Sequence, residues 1–236
     1  MSIFVAEVIG TGLLILLGNG VVACVLLNLS KGQNAGWIVI TFGWGMAVMV
    51  GVFAIGQFSG AHLNPAVTLG FAIEGTIGWG DVPEYLAGEF VGAFIGATLV
   101  WLAYMDHWKE TDDPGLKLAC YSTGPAIRNP VNNLITEIIG TFVLVFGVLS
   151  FFANEATAAT GLGGLLVGLL VFSIGLSLGG PTGYAINPAR DLGPRIMHAI
   201  LPIAGKGDSD WGYAWIPVVG PLIGGALGAL VFELAF

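Results

Sequence analysis

Charge is scarce in this chain. Asp, Glu, Lys and Arg together supply 9% of its residues, against roughly a quarter in soluble domains, which excludes an ordinary water-soluble domain. Basic residues are scarcest of all. Seven Lys and Arg among 236 residues leave no basic face for nucleic acid, and the formal charge of −8 mostly reflects acidic loops. Two cysteines, Cys24 in an apolar run and Cys120 in a long loop, make neither a disulfide framework nor a metal-ligand spacing. The three histidines are His62, near a motif described below, His107 in a loop and His198 at the end of a short apolar stretch. None is placed as a metal ligand, and neither a metal nor a cofactor is expected. No Lys or Arg precedes the first apolar run, and that run outlasts a signal-peptide core, so it reads as a retained first helix.

The remainder is apolar: 56% of the chain is hydrophobic and 38 residues are glycine. A spanning helix needs about 20 mostly apolar residues. Six runs qualify, at about 3–27, 36–57, 84–105, 132–153, 160–179 and 212–236. They account for residues 1–236 as one compact all-α bundle, a multi-pass protein with the lipid bilayer as its surroundings.

The chain repeats itself. AEVIGTGLLILLG at residues 6–18 returns as TEIIGTFVLVFGV at 136–148, and SGAHLNPAVT at 59–68 returns in large part as TGYAINPARD at 182–191. Glu7 precedes Asn64 by 57 residues and Glu137 precedes Asn187 by 50. Each half, about 1–105 and 131–236, thus runs helix, helix, Asn-Pro segment, helix, with the polar stretch 106–130 as the link. Three spans per half is odd, so the second half sits upside down in the membrane, and inverted repeats place a shared pathway at their interface. Glycines 88, 92 and 96 echo glycines 220, 224 and 228 in the third span of each half, ladders that let helix backbones approach closely in lipid. Orientation stays open: if both termini are cytoplasmic, Lys31, Lys109, Lys117, Lys206 and Arg128 all fall outside, against the usual bias of positive charge.

After each Asn-Pro comes an apolar stretch too short to span. Some 10 helical residues rise about 15 Å, half of a hydrocarbon core about 30 Å thick. Pro65 and Pro188 suit the first helical turn, and Asn64 and Asn187 suit the N-cap. Two such half-helices entering from opposite faces meet tip to tip, each pointing its positive dipole end at the membrane centre. Asn adds something further: its oxygen accepts the cap bonds while its NH2 stays free to donate. Non-helical backbone before each cap, Gly60, Ala61, His62 and Leu63 in one half and Gly183, Tyr184, Ala185 and Ile186 in the other, is tolerable at this depth only where it lines a cavity. Its carbonyls then supply acceptors. A narrow apolar path with acceptors in file and two central donors suits small neutral hydroxylated solutes and disfavours proton hopping.

SGAHLNPAVT and INPARDLGPR in a six-span inverted repeat resemble the aquaporin superfamily, specifically its glycerol facilitator or aquaglyceroporin branch. The resemblance covers nearly the whole chain. It implies six tilted helices with two re-entrant half-helices, a homotetramer with one pore per subunit in the cell membrane, cytoplasmic termini, and passive passage of glycerol and water. Its two NPA motifs fall on Asn64, Pro65 and Ala66 and on Asn187, Pro188 and Ala189. Its narrowest ring falls on Trp44, Gly175, Tyr184 and Arg190, with glycine at 175 widening the opening where water-selective relatives carry His. Tyr184 departs from the Phe expected in glycerol facilitators. Asp191 marks the glycerol branch, and Glu7 and Glu137 hold the re-entrant segments by accepting loop N–H bonds. The same ring is expected to admit protonated lactic acid, dihydroxyacetone, urea and hydrogen peroxide. Two other classes remain in view. Inverted repeats with broken helices also build secondary transporters, and GLSLG at 175–179 matches a hydrolase nucleophile elbow, although it sits inside an apolar run instead of a strand-to-helix turn.

Overall fold

A computed structural model describes residues 1–236, the side chain of Ala158 apart. Its elements are helices: α1 (Ile3–Leu26), α2 (Trp37–Ser59), α3 (Pro65–Glu74), α4 (Val82–Ala103), α5 (Met105–Glu110), α6 (Pro114–Ala119), α7 (Pro130–Ala153), α8 (Glu155–Thr160), α9 (Gly163–Leu178), α10 (Pro188–Ile200) and α11 (Ile216–Ala235). Helices α1, α2, α4, α7 and α11 are long and apolar enough to cross a membrane. With α9 they make the six spans, and α3 and α10 are the two half-helices.

Polarity in this bundle runs opposite to that of a soluble protein. Phe42, Phe53, Ile95, Leu176 and Leu227 lie on the outside, whereas Glu7, Glu89, Glu137, Arg190, Asp191 and Arg195 are all buried. An apolar exterior suits lipid, and ionisable groups at membrane depth are stable only when turned inward.

The glycine ladders set the closest approaches. A Cβ at Gly92 would stand 2.6 Å from the Val8 carbonyl oxygen, and one at Gly96 would stand 2.6 Å from that of Gly12; α4 therefore rests directly on the α1 backbone. The other half repeats this, with Gly224 against the Ile138 carbonyl and Gly228 against that of Phe142, so that α11 rests on α7. Helices α2 and α9 pack across the two halves, α3 seats against α11 and α10 against α4. Each half-helix is thus held by the third span of the opposite half.

One segment differs from the sequence reading, and another is preceded by a short extra helix. The link expected as loop at 106–130 contains α5 and α6; the Asp113 side chain accepts from Gly115 N at 2.7 Å and Pro114 opens the first turn, a cap-and-proline start in a polar stretch. The run expected at about 160–179 is a single helix, α9, which starts at Gly163 after the separate short helix α8 (Glu155–Thr160). Gly161, at φ 69°, ends α8 in the left-handed conformation that glycine favours, and the spanning helix α9 has 16 residues.

Candidate functional site: a conduit between two half-helix tips

Asn64 and Asn187 cap α3 and α10. The Asn64 Oδ1 accepts from Ala66 N at 2.9 Å, and the Asn187 Oδ1 accepts from Ala189 N at 3.0 Å and Arg190 N at 3.1 Å. Their amide nitrogens reach across the molecular centre. Asn64 Nδ2 donates to the Ile186 carbonyl at 2.8 Å, and Asn187 Nδ2 donates to the Leu63 carbonyl at 2.8 Å. The two tips are therefore clasped to each other's approach loops. The amide group expected to stay wholly free has one N–H committed to this clasp and one remaining, because each NH2 carries two hydrogens.

The approach loops are built alike. Gly60, Ala61 and Leu63 have φ of 81°, 56° and 57°; Gly183, Tyr184 and Ile186 have φ of 82°, 41° and 42°. Non-glycine residues in the left-handed region cost of order 1–3 kcal/mol each and persist where their surroundings over-determine them. Here the surroundings include two buried carboxylates. Glu7 Oε1 accepts from His62 N at 3.0 Å and Ser59 Oγ at 2.6 Å, and its Oε2 accepts from Leu63 N at 2.8 Å. Glu137 Oε1 accepts from Ala185 N at 3.0 Å and its Oε2 from Ile186 N at 2.8 Å. Hydroxyls repeat the pattern, with Ser59 Oγ accepting from Ala61 N and Thr182 Oγ1 from Tyr184 N.

A cavity lies beside the clasp, lined in part by Asn64 and Asn187. One wall is apolar, with Val48, Val52, Leu144, Val148, Val167 and Val171. The other carries Gly60 to Leu63, Tyr184 to Ile186, Asn64, Asn187 and Arg190. Arg190 lies over the face of Trp44: the guanidinium carbon is 4.0 Å from the indole centroid, a cation–π distance. Trp44 Nε1, Tyr184 Oη and Arg190 Nη1 are buried without a protein partner. Gly183 lies apart from this cavity, in an adjoining hollow with Trp37 and Gly179.

Gly175 does not reach the cavity wall; it lies behind Tyr184. A Cβ at Gly175 would stand 2.7 Å from Tyr184 Cζ and 2.9 Å from its Oη. The space expected to widen the ring is thus filled by the phenol. Trp37 packs edge-on against that phenol at 5.9 Å and donates its Nε1 to the Gly175 carbonyl at 3.0 Å.

Residues 1–232 match the family described as Major intrinsic protein. The chain belongs to that family. Among similar major intrinsic proteins, the Probable glycerol uptake facilitator protein of Thermotoga maritima is 61% identical over 236 residues, covering 100% of each chain. Glycerol uptake facilitator protein 3 of Lactiplantibacillus plantarum is 59% identical over 228 residues, 97% of this chain and 94% of that one. A solved structure, the aquaglyceroporin from Plasmodium falciparum, aligns with a TM-score of 0.86 at 28% identity, covering 98% of this chain and 94% of the other. The protein is accordingly an integral membrane protein with the aquaporin fold and of the aquaglyceroporin type.

Two ionisable residues of this major intrinsic protein were not singled out in the sequence. Arg195 pairs with Asp191, Nε to Oδ1 at 2.8 Å, both side chains fully buried. Asp191 Oδ2 also accepts from Thr123 N and Oγ1 at 2.7 Å, and Arg195 donates to the carbonyls of Ser209 and Thr123, so this pair ties α10 to the loops over it. The signal was present: acid and base four residues apart share one helix face. Glu89 is a further buried carboxylate beside Glu7, Glu137 and Asp191; its Oε1 accepts from Asn64 N at 3.1 Å and Thr68 Oγ1 at 2.7 Å. It lies inside a run read as apolar, whose other acid, Glu84, is at the run's edge. His107 lies on α5 and His198 near the end of α10, and no group of three or more His, Cys, Asp or Glu positioned for a metal occurs among the described residues. The GLSLG serine, Ser177, is exposed near the end of α9, far from a strand-to-helix turn.

Glu137→Ala removes the acceptor from two buried N–H groups, at about 1–3 kcal/mol each. The variant is expected to unfold at a clearly lower temperature in detergent and to lose solute flux; wild-type values for both would contradict the holding role.

Proposed function

We propose that this chain is a passive channel, and not an enzyme, that lets glycerol and water cross the cell membrane down their gradients. One observation carries the reading: an apolar-walled cavity has, along its other side, loop carbonyls and three unpaired buried polar atoms from Trp44, Tyr184 and Arg190. A polyol has the matching two-sidedness, with hydroxyls on one face and C–H groups on the other. The names of the relatives agree, since two of those most similar are called glycerol uptake facilitators.

In this reading Trp44, Tyr184 and Arg190 form the selectivity ring. Arg190 offers a fork of donors for solute oxygens, and the aromatic faces receive carbon. Gly175 acts from behind, giving Tyr184 room to lie back. The carbonyls of Gly60, Ala61, His62 and Leu63 and of Ala185 and Ile186 are the acceptors of the path, and Gly183, which lies outside the cavity, is not one of them. Asn64, Pro65 and Ala66 with Asn187, Pro188 and Ala189 make its centre, where each Asn retains one N–H for passing oxygen. Two positive helix ends aimed at that point oppose cations, and a water whose oxygen is held by both amides breaks the chain along which protons hop. Dihydroxyacetone, urea, hydrogen peroxide and protonated lactic acid share the small size and absence of charge that the path requires. The halves 1–105 and 131–236, joined by 106–130, act as the two repeats, and the subunit works as a homotetramer with one pore each.

Proteoliposome flux separates this channel from a secondary transporter. Glycerol permeability is expected to rise linearly with protein, without saturation at low solute and without response to an uncoupler; saturation, or collapse with uncoupler, would identify a transporter. Gly175→Ala places a methyl against the Tyr184 phenol, overpacking that costs about 1–3 kcal/mol. If the ring yields into the path, glycerol flux falls about ten-fold and water flux less, and Tyr184→Ala in the same chain restores glycerol. Equal loss of both solutes would contradict the ring assignment.

A further inference from the structure

The first half-helix carries a polar chain with no counterpart in the second. His62 Nδ1 lies 2.9 Å from Thr68 Oγ1, Thr68 Oγ1 lies 2.7 Å from Glu89 Oε1, and the same Oε1 accepts from the backbone N of Asn64 at 3.1 Å. The position opposite Glu89 in the other repeat, one residue after the first ladder glycine, is Pro221. Two donors converge on Oε1, while Oε2 is buried without a partner.

Proton counting then orders the chain. A threonine hydroxyl has one hydrogen and two lone pairs. Thr68 donates that hydrogen to Glu89, so its lone pair receives one from His62, and the ring proton sits on Nδ1. The ring cannot turn away, because it is stacked between Tyr85, at 4.0 Å and 10°, and Phe71, at 4.8 Å and 9°, while Tyr85 Oη is itself tied to the Ser59 carbonyl at 2.5 Å. The other nitrogen, Nε2, has no protein partner. His62 and Gly60 both line the conduit, and Nε2 is 3.8 Å from where a Gly60 Cβ would stand.

We propose that Glu89 is a positioning residue that acts through Thr68 to fix the His62 proton on Nδ1, leaving Nε2 as a bare side-chain acceptor for solute hydroxyl hydrogens beside the first motif. This rests on the channel reading, since an acceptor there has a use only if hydroxylated solutes pass. It gives one end of the conduit an acceptor where the other end has the Arg190 donors, so that a polyol is offered opposite hydrogen-bond polarity at its two stations. Which imidazole nitrogen carries the proton is set by the bond the other makes, so the assignment is directly measurable.

The test is nitrogen-15 solid-state NMR of histidine-labelled protein in liposomes, with the His62 signals assigned by their loss in His62→Asn. The wild type should show a neutral ring with its proton on Nδ1. Glu89→Gln keeps Oε1 for both donors and puts its amide nitrogen where Oε2 makes no bond, so the tautomer and glycerol flux should survive. Thr68→Val and Glu89→Leu should move the proton to Nε2 or mix the two forms, and lower glycerol flux about two- to ten-fold, the worth of one hydrogen bond. A wild-type proton on Nε2, or an unchanged tautomer in Thr68→Val and Glu89→Leu, would overturn the proposal. The spectrum answers whether or not glycerol crosses, so failure of the channel reading would appear separately, in the flux of the wild type. Thr68→Val leaves the Glu89 bond to Asn64 intact, which keeps the test decisive if Glu89→Leu does not fold.

Discussion

Backbone that leaves the helix in the middle of a membrane has no water to satisfy it, and every N–H and C=O must find a partner inside the protein. In this molecule two carboxylates meet that requirement. Glu7 and Glu137 take four loop N–H groups between them, and the loops so held include four non-glycine residues in left-handed backbone. Only with the loops fixed do the two asparagines come within reach of the opposite carbonyls. The clasp at the centre is therefore a consequence of two acids placed near the start of α1 and of α7, far from it in sequence.

The same arrangement accounts for the two-sided wall. The two approach loops, their asparagine caps and the first turn of α10 deliver backbone carbonyls, both asparagines and Arg190 to one side of the cavity, and the long helices, which hide their own polar backbone, contribute valine and leucine to the other. The two halves then differ in what they add. The first brings a stacked histidine, a threonine and Glu89; the second brings Tyr184 and Arg190, with Asp191 and Arg195 turned away to bind the outer loops. A path built by near-symmetric repeats thus acquires different chemistry at its two ends.

Much of this was legible in the chain. Apolar length announces a span, Asn-Pro announces a cap and a first turn, and a Glu set at nearly the same distance before each motif points to a shared task. Other features depend on tertiary neighbours. Glycine at 175 reads as open space until Tyr184 is seen to fill it. The short helix α8 ahead of the fifth span, ended by the left-handed Gly161, is a feature that hydropathy does not register. Glu89 is one acid among apolar neighbours, and its meaning appears only when Asn64 and Thr68, more than twenty residues earlier, close on the same oxygen. The asparagine NH2 groups were read from chemistry alone, and the structure shows that half of their donor capacity goes to holding the tips together.

The central claim is that neutral solute passes beside these two clasped tips in single file. An experimental map of the protein in lipid, obtained with glycerol present, tests it most directly. The account predicts glycerol density in a continuous opening from Arg190 past Asn64 and Asn187, with its oxygens toward the loop carbonyls and its carbons toward Val48 and Val167. Asparagine side chains lying apart, or an occluded centre with glycerol bound elsewhere, would contradict it.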